Sequence, residues 1–327
     1  MQFEFTPYPD FNFLQSFADE FGIPYTGNNL IIPSSLGKGS IRYFEFTSGF
    51  KLLFHSYTFN EDFVLKRKAP NTNSELVSLQ FYTYEAPAVY RLDENKYSSS
   101  TKINSGMIEI SSIHLNSEIR FQAGKKIFFT VIGIMKPLLS ELLNLKQSNS
   151  LVDTIMKKNS SFLFHEKMWP EFEKKITLLS LINEKDSLGN FYFRIKVQEL
   201  IYLLFRKLLN REDQRQKSIK NRDATKLYEI QSTILTDLST PPKLPELALL
   251  IGMSETKMKS LFKQIFGDSI YNYFQSARME EAAFLLKHSD YSVSEIGFHL
   301  GFSNLSHFSR LFKKHYTMTP KKYASVV

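Results

Sequence analysis

The sequence predicts a multidomain α+β chain. Its amino-terminal half is β-rich with helices appended, and its carboxyl end is all helical. Three observations predict this. Short runs rich in Phe, Tyr and Ile recur between turn residues up to about residue 135. From Pro137 the apolar spacing changes to a helical period. Between Leu244 and Pro320 one helix-turn-helix pattern is written twice.

The strand candidates are Asn29–Pro33, Ile41–Phe46, Phe50–Tyr57, Ser78–Tyr84, Gly106–Ser111, Ile119–Phe121 and Lys126–Ile132. β-branched and aromatic residues suit a pleated, half-buried surface, and Gly, Pro, Asn and Ser break the runs. Many short strands at this spacing predict a sandwich or a barrel. Phe44, Phe46, Phe54, Tyr57, Phe81, Tyr82 and Tyr84 are expected in its core rather than on a ligand. Gly37-Lys38-Gly39-Ser40 lacks the upstream glycine of a phosphate loop and no helical pattern follows it, so it reads as a turn.

Behind Pro137, Leu138, Leu139, Leu142, Leu143 and Leu145 fit a short helix, since proline suits a first helical turn. Trp169-Pro170 opens a second, with Phe172, Ile176, Leu179 and Ile182 on one stripe. The longest helix is expected from about Asn190 to Arg211, with Phe193, Val197, Leu200, Ile201, Leu204, Phe205 and Leu208 on one face. Residues 1–212 are thus one domain, with strands to about 135 and helices over 137–211. Residues 213–225 are polar and basic and read as a solvated linker, and 226–327 form the second domain.

The repeat organises that second domain. Glu246, Gly252 and Ser254 match Glu295, Gly301 and Ser303 at an offset of 49, while Leu261-Phe262 matches Leu311-Phe312 at 50. One extra residue therefore sits in the second copy's second helix or just before it. Each copy starts with a short apolar helix: Leu247, Leu250 and Ile251 in one, Ile296 and Leu300 in the other. A glycine follows, able to end the helix in the left-handed region. Ser254 and Ser303 then stand where a hydroxyl caps the next helix. That helix buries Met258, Leu261 and Phe262, or Phe308, Leu311 and Phe312, and turns a polar, basic face outward. Two helices joined by a tight turn are the scaffold that sets a second helix in the DNA major groove.

Residues from about 225 to 327 resemble the DNA-binding domain of the AraC family of bacterial transcription regulators. The segment between the copies contains Arg278-x-x-x-Ala282-x-x-Leu285-Leu286, similar to that family's linker helix. The end, Phe312 to Thr319-Pro320 and Tyr323, is similar to its closing signature. The family often has glycine where Thr317 stands, so the turn after the second recognition helix is expected to be built differently. The resemblance implies a cupin-like barrel in the amino half, which senses a small-molecule effector or pairs two copies. It also implies base-facing Thr256, Lys259 and Ser260 on the first recognition helix, and Ser306 and Arg310 on the second. Lys257, Asn304 and His307 share the exposed faces; Lys263, Lys313 and Lys314 are suited to phosphates. The expected partners are double-stranded DNA, an effector, a second copy of the chain and RNA polymerase, with no membrane.

Composition sets limits. The 327 residues are 43% hydrophobic and 23% charged, ordinary for a globular chain with room for two cores. The chain has no cysteine, which excludes disulfides, thiolate metal sites and cysteine-based DNA repair. No apolar run approaches the roughly 18 residues of a membrane span, and Met1–Pro7 does not start like a signal peptide, so a cytoplasmic protein is expected. The net charge is +8, yet residues 227–327 hold eleven basic against nine acidic side chains. Binding to DNA must therefore rest on which face the charges occupy. The stretch from Ser303 to His315 has no acid at all. The alternative is a cupin-like enzyme fused to a DNA-targeting module. His55, His114 and His165 are too scattered to give ligand spacing, so no enzyme, metal or cofactor is expected.

Overall fold

The computed structural model describes residues 1–8, 10–71, 74–83, 89–91, 106–182, 187–211 and 218–326. The described chain divides into two compact units, residues 1–91 with 106–225, and residues 226–326.

The first unit opens with β1 (Gln2–Phe5) and helix α1 (Phe13–Phe21). Nine strands follow: β2 (Asn29–Ile31), β3 (Gly37–Thr47), β4 (Phe50–Phe59), β5 (Phe63–Arg67), β6 (Leu76–Tyr82), β7 (Val89–Arg91), β8 (Met107–Ser112), β9 (Ser117–Phe121) and β10 (Ile127–Met135). Then come α2 (Lys136–Leu143), α3 (Ser150–Met156), β11 (Leu163–Lys167), α4 (Pro170–Ser180) and α5 (Gly189–Leu209). The strands form two sheets, ordered β1-β5-β9-β7 and β11-β8-β6-β10-β4-β3-β2. The sequence allowed a sandwich or a barrel. The described strands make two separate sheets, with no closed barrel among them.

Register explains how the larger sheet is covered on both sides. Leu52, Ile132, Leu79 and Ile110 are cross-strand partners on one face. That face belongs to one apolar core with Phe172 of α4 and Phe193, Val197 and Leu204 of α5. Moving one residue along each strand exchanges faces. His55, Phe129 and Tyr82 are partners there, as are Gln80, Glu109 and His165. This second face meets the smaller sheet: Tyr57 lies 6.3 Å from Phe63, and Phe121 6.0 Å from Phe129.

The aromatic residues expected in the core are there: Phe44, Phe54, Tyr57, Phe81 and Tyr82 are buried and Phe46 is half-buried. Tyr84 lies outside the described residues. Two readings are corrected. Residues 37–40 are strand rather than turn: a Cβ at Gly37 or Gly39 would strike the carbonyl oxygens of Thr58 or Ser56 on β4. The glycines permit close pairing of two backbones. The strand pattern expected up to about residue 135 is also interrupted by helix α1, which Asn12 caps and Gly22 ends at φ 62°.

Residues 213–217 lie outside the described residues. After them Ile219 is buried and its N–H donates to Ser161 O, and helix α6 (Asn221–Thr236) has already begun at residue 221. Within 218–225, Ile219 and Ala224 are buried and the other residues are exposed or half-buried.

Candidate nucleic-acid interface

The second unit continues with α7 (Leu244–Leu250), α8 (Glu255–Phe266), α9 (Ile270–His288), α10 (Val293–His299), α11 (Leu305–Tyr316) and α12 (Pro320–Val326). Helices α7 and α8 are the first copy of the repeat and α10 and α11 the second, with α9 between them. Both turns use left-handed glycines, Gly252 at φ 55° and Gly301 at φ 75°.

The caps refine the repeat. Ser254 Oγ accepts from Lys257 N–H, as expected. In the second copy the cap is Asn304, whose Oδ1 accepts from His307 N–H at 3.0 Å; Ser303 precedes it. The extra residue of the second copy therefore lies in the turn, and Asn304 has a structural task at the helix start. The acid common to both copies also acts locally. Glu295 Oε2 accepts from Ser292 N–H at 2.7 Å while Ser292 Oγ accepts from Glu295 N–H, a reciprocal cap. These bonds hold the Glu295 carboxyl below the usual carboxylate range. Glu246 instead pairs with Lys243.

Apolar residues at helical spacing orient α8 and α11. Met258, Leu261, Phe262 and Ile265 bury one side of α8; Phe308 and Phe312 do so in α11, with Leu311 only half-buried. Leu250, expected inside, is exposed. The opposite sides hold the anticipated residues. Thr256, Lys257, Lys259 and Ser260 are exposed on α8, and Lys263 is half-buried. Asn304, Ser306, Arg310, Lys313 and Lys314 are exposed in the second copy. His307 is half-buried, its ring 5.9 Å from Phe302. Spacings of three and four place 256, 259, 260 and 263 on one face of α8, and 306, 310, 313 and 314 on one face of α11.

The two faces differ in charge. On α8, Lys259 Nζ lies 3.7 Å from Glu255 Oε2, so a carboxylate accompanies that lysine. Helix α11 contains no acid, and among the described residues no ion pair or hydrogen bond engages the side chains of Arg310, Lys313 or Lys314.

Sequence reasoning missed the task of Arg278. It is buried in α9, donates to Leu300 O at the end of α10, and lies 3.7 Å from the centre of the Phe302 ring. Burial lowers its pKa, while the carbonyl and the ring stabilise its charge. It fastens α9 to the second turn. The available signal was a cation on an otherwise apolar stripe, between Phe274 and Ala282 at four-residue intervals.

The comparisons agree with this geometry. The family described as "Helix-turn-helix domain" matches residues 247–325. An HTH-type transcriptional regulator of Haemophilus influenzae is 35% identical over 82 residues, which are 25% of this chain and 28% of that protein. The probable transcription factor PqrA of Proteus vulgaris is 35% identical over 81 residues, 25% of this chain and 66% of that one. A solved AraC-type transcriptional regulator from Chromobacterium violaceum is 28% identical, with a TM-score of 0.31, covering 32% of this chain and 95% of that one. Residues 247–325 are thus a helix-turn-helix domain. The match spans about a quarter of the first relative's length and about two thirds of the second's.

In the first unit the histidines have separate settings. His55 stacks on Phe129 at 4.0 Å, and burial holds its pKa down to about 3. His165 Nε2 lies 3.4 Å from Glu109 Oε2. Among the described residues no three His, Asp or Glu side chains are grouped to hold a metal ion, and no helix is long and apolar enough to cross a membrane.

Proposed function

We propose that this chain is a cytoplasmic, non-enzymatic transcription regulator that binds double-stranded DNA through α8 and α11. In this reading the β-rich unit senses a small-molecule effector. The observation that carries it is the outer face of α11, where three cations stand exposed, without an acid on the helix. Arg310 reads a base: a guanidinium donates two bonds to guanine O6 and N7. Lys313 and Lys314 lie about one turn further along and neutralise phosphate. Thr256, Lys259 and Ser260 read through α8 more weakly, because Glu255 offsets part of the charge there. Lys257, Lys263, Asn304, Ser306 and His307 complete the two surfaces.

A homodimer belongs to the same reading. It is supported by Phe191, Tyr192, Ile195 and Tyr202, large side chains exposed along the outer face of α5. Guanine-methylation interference tests the proposal, using a duplex that the full chain selects from a random pool. The expected pattern is two patches of major-groove interference about 10 base pairs apart per copy of the chain, since one duplex turn is about 34 Å. Four patches would mark paired copies. Failure to select any sequence would sink the proposal.

A further inference from the structure

Three lysines or arginines are buried among the described residues: Lys136, Arg278 and Arg67. Two have ample partners. Lys136 Nζ donates to Lys157 O and Ser160 Oγ, and Arg278 has the Leu300 carbonyl and aromatic rings. Arg67, on β5, is only 7% exposed. Its guanidinium makes one long hydrogen bond, from Nη2 to Ser111 Oγ at 3.4 Å. Its Nε is buried and has no hydrogen-bond partner among the described residues, and no carboxylate among them forms an ion pair with it. A guanidinium stays charged at any ordinary pH and presents five N–H donors. Burying such a group without a counter-ion is costly, and an anion beside it would offset that cost.

The surroundings say what completes it. Ser111 and Glu109 lie two residues apart on β8, on the face turned toward the smaller sheet. The Glu109 carboxylate is engaged elsewhere: Gln80 Nε2 donates to it at 3.1 Å and His165 lies beside it. Tyr82 OH donates to Gln80 Oε1. Between the same two sheets are the rings of Tyr57, Phe63, Phe121 and Phe129. The interior is therefore polar and cationic at one end and aromatic at the other.

We propose that Arg67 is the anion-reading residue of a ligand site between the two sheets, and that the ligand is a small organic carboxylate. Its carboxylate accepts from the guanidinium fork, with Ser111 Oγ beside it, and its hydrocarbon part lies against the rings. This rests on the effector-sensing reading and gives that effector a chemical class.

The test is thermal unfolding of the full chain with sodium benzoate and the C4 to C10 straight-chain carboxylates, each against its uncharged amide. At a hundredfold excess over Kd, a bound carboxylate is expected to raise the midpoint by about 5–10 °C, with no rise from the amides. Arg67→Met is expected to abolish the rise while unfolding no earlier than the ligand-free protein, because an unpaired buried charge has gone. Should that variant not fold, Arg67→Lys, which keeps the charge but not the fork, is expected to weaken binding at least tenfold. Equal shifts from amides, or none from any carboxylate, would overturn the proposal. Duplex binding by the same preparations separates the two claims. Intact binding without a carboxylate response removes the ligand site alone; a response without binding removes the regulator reading.

Discussion

Thr317 ends α11 with φ 63°, the left-handed region, as Gly267 ends α8 with φ 82°. The turn expected to differ takes the same left-handed conformation, on a residue poorly suited to it. A β-branched side chain in that region is strained by about 1–2 kcal/mol, and glycine returns some of the gain as chain entropy. Thr317→Gly is therefore expected to stabilise the protein by roughly 0.5–1 kcal/mol in chemical denaturation. His55 makes a second prediction. Its folded pKa of about 3 lies below the 6.5 of a free imidazole, so its contribution is complete above pH 6.5. As pH falls from there toward 3, the unfolded chain takes up a proton that the folded chain refuses. Stability is then lost at roughly 1.4 kcal/mol per pH unit. His55→Phe, which preserves the ring stack on Phe129, is expected to flatten that share of the acid dependence in unfolding measured across the window. Neither effect was legible in the sequence: Thr317 looked like a departure, and His55 like one of three scattered histidines.

The elements that repeat were the most legible, because each is specified locally. A glycine, a cap and an apolar stripe fix a helix pair within about twenty residues, and α8 and α11 are each twelve residues long. Even so, the repeat hid a difference between its two turns. A Cβ at Gly301 would strike Ser239 O at 1.9 Å, whereas one at Gly252 meets only Lys226 Nζ at 3.8 Å. Gly252→Ala therefore carries the left-handed strain alone, about 1–2 kcal/mol. Gly301→Ala adds a collision with backbone, and a total of roughly 2–5 kcal/mol is expected. Urea midpoints of the two variants measure the difference; equal losses would show that Ser239 moves away freely. The β-rich unit was less legible, for a physical reason. Strands β1, β5 and β11 are short and pair with partners far away in sequence, β1 with β5 and β11 with β8. Local propensity carries no trace of such pairing.

Across the whole molecule, the reading divides what anchors from what discriminates. In the proposed function the basic face of α11 supplies attraction to any duplex, and that attraction weakens with salt. Discrimination needs a fork placed against base edges, the role proposed for Arg310. The same division was visible in the sequence as an acid-free run in a segment of nearly balanced charge. What the sequence did not show was that Lys259 shares its position with Glu255, and that the extra residue shifts the second cap to Asn304. The most direct measurement is the affinity of the full chain for its selected duplex and for random duplex, with and without Arg310→Ala. The expected result is a loss of about 1–3 kcal/mol on the selected duplex with little change on the random one. Equal losses on both would contradict the account, since Arg310 would then only hold phosphate.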